Sequence, residues 1–174
     1  ENHNIRASIQ TGFRNPTTQD LFIGLDAGRA VLVGAAPDNL DRYVRSYDVS
    51  AAGQATFGQP ASISQSGGAA YTNSYLASSV SAFAASGNPA DLRIGNSALV
   101  KPEKISTAEI GYRGKVKKIV VDMSVYYNKY QDFISGEVVI APLYGTVGDN
   151  SLSVAALANS DFKTYQTYTN SKAD

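Results

Sequence analysis

Few side chains in this sequence are equipped for chemistry, and their spacing limits what they can do. Cysteine is absent and His3 is the sole histidine. A disulfide framework, a thiolate metal site, a Cys nucleophile and a Ser–His–Asp triad therefore fall away. His3, close to the terminus, reads as a bystander beside the first strand. Asp20, Asp26, Asp38, Asp41 and Asp48 would suit a hard cation. Their spacing does not follow a D-x-D-x-D-G loop, however, and Asp38 and Asp41 fit a helix start. Gly24-Leu25-Asp26-Ala27-Gly28 lacks the G-x-x-x-x-G-K-[ST] spacing of a phosphate cradle. Arg42 with Tyr43, Tyr47 and Tyr144 is the set with binding chemistry, since a guanidinium and phenols suit a wall for a carbohydrate or a chelate. Tyr43 and Tyr47 would equally pack a helix against a loop core. No nucleophile, base and acid assemble into a set, so an enzyme is not expected, and neither a cofactor nor a resident metal is expected.

The remaining polar residues of interest lie in alternating segments. In Ile119–Tyr130, Ile119, Val121, Met123, Val125 and Tyr127 share one face, and Val120, Asp122, Ser124, Tyr126 and Asn128 the other. That period of two predicts an extended strand between two unlike solvents. Residues 105–113 alternate Ala108, Ile110 and Tyr112 against Thr107, Glu109, Gly111 and Arg113, and a short basic turn over Gly114–Lys118 joins the two strands. Residues 4–13 set Ile5, Ala7, Ile9 and Phe13 against Arg6, Ser8 and Gln10. Arg6, Gln10, Glu109, Arg113 and Asp122 are thus expected on the polar faces. A soluble sheet buries its apolar face in a core, whereas a membrane barrel turns it to lipid and keeps the polar face in the lumen.

Lys+Arg 15 balances Asp+Glu 15, which gives no global electrostatic reason to expect nucleic acid as a partner. Charged residues make up 17% of the 174 residues, below the roughly 25% of an average soluble domain. Tyr 11 with Trp 0 suits strands and interfaces that are dry at one end and wet at the other. No apolar run is long enough for a transmembrane helix. The opening Glu1-Asn2-His3-Asn4 has no basic region followed by an apolar stretch, so no secretory signal is read within this sequence.

Between the strands, Pro16 ends the first one and fits the start of a short helix over Thr17–Phe22. A short strand is expected around Val31–Val33. Leu40, Tyr43, Val44 and Tyr47 are spaced i, i+3, i+4, i+7, which predicts an amphipathic helix over Asp38–Asp48. Ser50–Ala70, rich in Ser, Ala, Gly and Gln, reads as irregular. Tyr71–Ser86 recovers helical spacing and stops at Gly87-Asn88-Pro89. A short strand at Glu137–Ile140, a helix at Leu152–Ala158 and a fourth main strand over residues 163–171 follow, the last with its partner expected beyond Asp174. The main strands, about 4–13, 105–113, 119–131 and 163–171, are joined by a long, a short and a long link. The long ones cover residues 14–104 and 132–160. Loops beyond about 15 residues are uncommon in compact soluble domains, whereas outer-membrane barrels pair short periplasmic turns with long extracellular loops.

Three elements in this order resemble a known family. Gly12-Phe13-Arg14-Asn15-Pro16-Thr17-Thr18-Gln19-Asp20-Leu21-Phe22 is similar to the strand, F-R-x-P and short helical loop of TonB-dependent outer-membrane receptors. Lys101-Pro102-Glu103-Lys104 with Glu109-Ile110-Gly111-Tyr112-Arg113 resembles their L-x-P-E-x-S…E-x-G-x-[KR] strand. Val125-Tyr126-Tyr127-Asn128-Lys129-Tyr130-Gln131-Asp132-Phe133-Ile134 resembles the strand after it. The likeness covers both ends of the chain but not Ala27–Leu99. It implies a bacterial outer-membrane barrel of about 22 strands around a plug, importing a metal chelate, cobalamin or an oligosaccharide with energy delivered through a TonB partner.

The expected fold is therefore mainly β. Residues 1–174 read as a single segment of a transmembrane β-barrel with long loops carrying short helices and without the plug. Folded in isolation, the segment would be a small antiparallel sheet plus short helices, of α+β type. The implied partners are the rest of the barrel and the plug, the TonB complex through the plug, the lipid bilayer and a small-molecule or oligosaccharide ligand. The alternative is a soluble or surface-displayed β-rich binding module, with the apolar strand faces packed beneath the loop helices.

Overall fold

A computed structural model describes residues 2–95, 97–149 and 151–171; the side chains of residues 2, 42 and 116 lie outside the described set. The chain divides into two compact units, one of residues 1–15, 101–134 and 171–174, the other of residues 16–100 and 135–170.

The first unit is built on alternation. Strands β1 (Asn2–Arg14), β7 (Glu103–Val116) and β8 (Ile119–Gln131) form an antiparallel sheet in the order β1-β7-β8. β7 and β8 meet at a two-residue turn of Lys117 and Lys118, with Val116 paired to Ile119 and Lys117 at φ 55 in the left-handed region. Every described residue of β8 is exposed. Among the described residues, none of this sheet's side chains belongs to an apolar core cluster.

The register sorts the two faces by chemistry. One carries the cross-strand rows His3–Gly114–Val121, Ile5–Tyr112–Met123, Ala7–Ile110–Val125 and Ile9–Ala108–Tyr127. The other carries Asn4–Arg113–Asp122, Arg6–Gly111–Ser124, Ser8–Glu109–Tyr126 and Gln10–Thr107–Asn128. From Ile119 to Tyr127 the apolar face runs about 26 Å along the strand at about 3.3 Å per residue. That is about 20 Å of height at a tilt of about 40°, close to the roughly 25 Å apolar band of an outer-membrane barrel.

The second unit holds the long connections, and it has a core. A five-stranded sheet runs β2 (Gly24–Asp26), β3 (Val31–Val33), β10 (Phe162–Ser171), β9 (Phe133–Pro142) and β6 (Tyr75–Leu76). A two-stranded sheet pairs β4 (Val44–Asp48) with β5 (Ser62–Ser66). Short helices intervene: α1 (Thr18–Phe22), α2 (Pro37–Arg42), α3 (Ala51–Phe57), α4 (Ala69–Thr72), α5 (Ala77–Ser86) and α6 (Leu152–Ala158). Val31, Val33, Tyr43, Tyr71, Val139 and Tyr165 belong to its largest apolar cluster. None of the described helices is long and apolar enough to cross a membrane.

Several expectations are corrected here. The helix expected over Asp38–Asp48 stops at Arg42, and Val44–Asp48 is a strand, because its backbone finds a ladder partner in Ser62–Ser66. Ser50–Ala70 is not irregular. Ser50 accepts the Gly53 N–H as an N-cap, and Gly58 at φ 63 closes the helix between them. The helical spacing over Tyr71–Ser86 divides into α4, the two-residue β6 and α5. The 163–171 strand does not wait for a partner beyond Asp174, since β10 lies between β9 and β3 and runs parallel to the latter.

Candidate functional site

The polar face of the three-stranded sheet brings together the five residues expected there. Arg6 lies flat across its register partner Gly111, where a Cβ would come within 2.5 Å of the Arg6 Nε. Glycine at this position lets the guanidinium reach diagonally to Glu109, at 3.5 Å. Arg113 and Asp122, directly opposed across β7 and β8, stand 3.9 Å apart. Gln10 faces Thr107, whose hydroxyl donates to the Asn128 side chain at 2.8 Å. At the strand ends Arg14 grips Glu103 with two parallel bonds, Nε to Oε2 at 2.6 Å and Nη2 to Oε1 at 2.8 Å. Glu103 Oε1 also accepts the Ile134 N–H at 2.8 Å. Such a face offers hydrogen bonds and fixed, compensated charges to whatever water or protein lies against it.

The opposite face is apolar and bare. Val125 is 74% and Ile9 84% exposed. At the turn end of this face Tyr112 lies over Gly114 and its hydroxyl meets His3 Nδ1 at 2.7 Å. His3 is thus a partner in an aromatic pair where a bystander was expected. Lys104 and Lys129 continue the same parity beyond the apolar rows; counting two residues at a time, back from Ile110 and on from Val125, finds them.

The loop set expected to form a binding wall is placed differently. The Arg42 side chain lies outside the described residues. Tyr43 is 7% exposed and packs with Val31, Val33 and Tyr71. Tyr144 is 6% exposed, in a separate cluster with Val49, Leu143 and Ala156, which Tyr47 flanks. Burial pushes the pKa of both Tyr43 and Tyr144 above the ordinary phenol value. Their rings are spent on packing, which is the second use the sequence allowed for Tyr43 and Tyr47.

Polar side chains hold the loops around these clusters. Asp161, 2% exposed, accepts from the Ser50 N–H at 2.6 Å, the Ser50 hydroxyl at 2.8 Å and the Tyr144 hydroxyl at 2.9 Å. This buried carboxylate ties the start of α3 to the end of α6, and no local window reveals it because its donors lie 111 and 17 positions away. Burial alone would raise the pKa of Asp149. Bonds from the Ser151 N–H, the Ser153 hydroxyl and the Thr146 N–H hold it instead at about 2. Two of the aspartates considered for a cation have other partners: Asp20 closes a capping box with Thr17, and Asp26 accepts the Gly28 N–H and pairs with Lys163. Among the described residues no three His, Cys, Asp or Glu gather as a metal site.

A sheet with opposite chemistry on its two faces and a core behind neither has the makeup of a barrel wall, with lipid on one side and the lumen on the other. A soluble module would need protein under one of those faces. The family model described as TonB dependent receptor-like, beta-barrel, matches residues 1–173. No curated protein and no solved structure matches the chain. The proteins of that family are transporters of the bacterial outer membrane, mainly β in fold, and the strand-rich, unclosed architecture seen here suits a piece of such a barrel. The chain belongs to the TonB dependent receptor-like β-barrel family.

Proposed function

We propose that this chain supplies barrel wall and extracellular loops to a TonB-dependent importer that takes up a scarce nutrient, a metal chelate, cobalamin or an oligosaccharide. The bare, two-faced sheet β1-β7-β8 carries this reading. Its apolar rows face lipid, and Arg6, Gln10, Glu109, Arg113 and Asp122 face the lumen, where the plug of the parent protein and the ligand's path lie. The long connections gather ligand outside the cell. Their compact core supports that role because a folded loop unit presents a fixed surface, which lowers the ordering cost of binding. Tyr43, Tyr47 and Tyr144 serve the surface from beneath, by packing.

The test is uptake. Deleting the parent gene and following a labelled ferric chelate, cobalamin and an oligosaccharide in turn should abolish energy-dependent uptake of one of them. Unchanged uptake of all three classes would sink the importer reading.

A further inference from the structure

Beyond importing, we propose that the outer-leaflet end of the lipid-facing wall binds the phosphate headgroup of a membrane lipid between Lys104 and Lys129. The proposal rests on the reading above that the apolar face of β1-β7-β8 meets lipid. That face changes character after the row Ile9–Ala108–Tyr127. The next two rows are Thr11–Ser106–Lys129 and Phe13–Lys104–Gln131. A groove of about 610 Å³ lies at these rows, with Thr11, Phe13, Lys104, Ser106 and Gln131 in its lining and Lys129 outside it.

Its height matches a headgroup. From Ile119 at the turn to Lys129 is about 33 Å along the strand, or about 25 Å of height at a tilt of about 40°. Lys129 therefore stands where the hydrocarbon band ends. The short turn marks the periplasmic side in such barrels, so this end belongs to the outer leaflet. Phe13, 72% exposed, is an aromatic at the level where membrane proteins concentrate them.

Charge completes the case. On the polar face Arg6, Arg14 and Arg113 each stand within 4.0 Å of a carboxylate. Among the described residues, Lys104 and Lys129 have no ion-pair partner. They are diagonal neighbours across the β7–β8 ladder, about 7–8 Å apart at that spacing. Two flexible ammonium groups so placed converge on one phosphate as point charges. The Thr11 and Ser106 hydroxyls supply neutral donors beside them. The apolar rows below accept the acyl chains of the same molecule, which a free anion cannot use.

The test uses the full parent receptor in dodecyl maltoside, with native mass spectrometry to follow bound dioleoyl phosphatidic acid. Dioleoylglycerol and inorganic phosphate are run in parallel. K104Q/K129Q should weaken the phosphatidic acid complex about tenfold or more, leave dioleoylglycerol unchanged and keep the heat-modifiable gel migration of a folded barrel. K104R/K129R should retain binding within about twofold, since charge is what the phosphate reads. K117Q/K118Q, at the opposite end, should change it by less than about twofold. Equal losses from both ends would overturn the site, as would unchanged binding in K104Q/K129Q. Displacement of the lipid by inorganic phosphate at the same concentration would overturn the lipid as occupant. The underlying reading is checked separately by V125R, which should lower the urea midpoint of the parent barrel in phospholipid vesicles if that face meets lipid and leave it unchanged if it does not.

Discussion

Strand β8 and the segment Val139–Tyr144 are both rich in apolar residues, yet their surroundings are opposite. All described residues of β8 are exposed, whereas residues 139–144 are buried without a break. Along β8 chemistry alternates and burial does not. The segment Val139–Tyr144 lies among side chains from β3, β10, α4, α5 and α6 within its own unit. Apolar character alone therefore does not locate a core. On the reading proposed above, lipid supplies a low-dielectric environment to the apolar face of β8 and the alternate residues meet the lumen. The loop unit has a buried core, as a soluble protein does, and the hairpin has the two-faced alternation expected of a barrel wall.

The sharpest way to break this contrast is to substitute in each region and compare. Tyr165 is fully buried, and its hydroxyl donates at 3.0 Å to Gln65, whose amide in turn donates to the Pro142 carbonyl. Tyr165→Ala should cost about 3–5 kcal/mol of loop-unit stability, as aromatic truncations in cores do. Hydrogen exchange of loop peptides, with barrel migration on gels unchanged, is the measurement. Loss of the barrel together with the loops would mean the two regions do not answer to separate rules. Val125→Arg reverses the experiment. In water an exposed valine tolerates a charge, but near the middle of a bilayer the same change should cost about 2–4 kcal/mol. Urea titration of the parent barrel in phospholipid vesicles measures this. A change under about 0.5 kcal/mol, the usual size for exposed sites in water, would make β8 a soluble surface.

Gly34 tests the loop unit more finely. A Cβ there would fall on the Leu21 carbonyl at the end of α1, which is backbone and cannot swing aside. Gly34→Ala should cost about 1–3 kcal/mol through overpacking, read as faster exchange in α1 and β3. Gly28→Ala is the contrast, since it has open space around it and only its φ of 80 to oppose the change.

The hairpin was legible because alternation is local: reading residues 101–134 two at a time assigns every side chain to its face. The family resemblance was legible in the same residues. The loops were not. Leu40, Tyr43, Val44 and Tyr47 fit a helical stripe, but Tyr43 is needed in the core and Val44 pairs with Ser66, 22 positions on. No local window contains that partner. The helix at Ala51–Phe57 was hidden for another reason, since its composition offers little to bury. Its only sequence signals are Ser50 and Gly58 at its ends. The burial of Tyr43 and Tyr144 was not legible either, because tyrosine serves cores and surfaces alike and only the contacts distinguish the two. For the buried Asp161 hub no signal existed, because its donors come from remote segments.

Titration should separate the regions again, with loop groups carrying the shifts. Burial pushes the Tyr71 pKa up to about 12; its hydroxyl donates to the Val33 carbonyl at 2.9 Å and accepts the Tyr168 N–H at 3.1 Å. Above pH 10 the unfolded phenol ionises while the folded one keeps its proton. Loop stability should therefore fall as pH rises from 10 towards 12. Tyr71→Phe should flatten that slope. On the acid side Asp149 works in the other sense. Its pKa is lowered from 3.8 to about 2, so its contribution is present above 3.8 and is lost as pH falls through about 2. Exchange rates in residues 146–153 should rise over that window in the wild type, and the rise should be smaller in Asp149→Asn.

The smallest effect lies on the polar face. The Arg6–Glu109 pair is 3.5 Å apart with side chains 66% and 37% exposed. In the detergent-solubilised barrel, with water in the lumen, a double-mutant cycle of Arg6→Ala and Glu109→Ala should return a coupling of about 0.2–1 kcal/mol, shrinking as salt is raised. A coupling well above that range and indifferent to salt would mean the pair is dry, with the plug or another part of the barrel packed directly on it. The cycle therefore measures what lies against the polar face. Repeating it in the parent receptor with the plug deleted assigns the cover: a large coupling that collapses on plug deletion belongs to the plug, and one that persists belongs to the barrel itself.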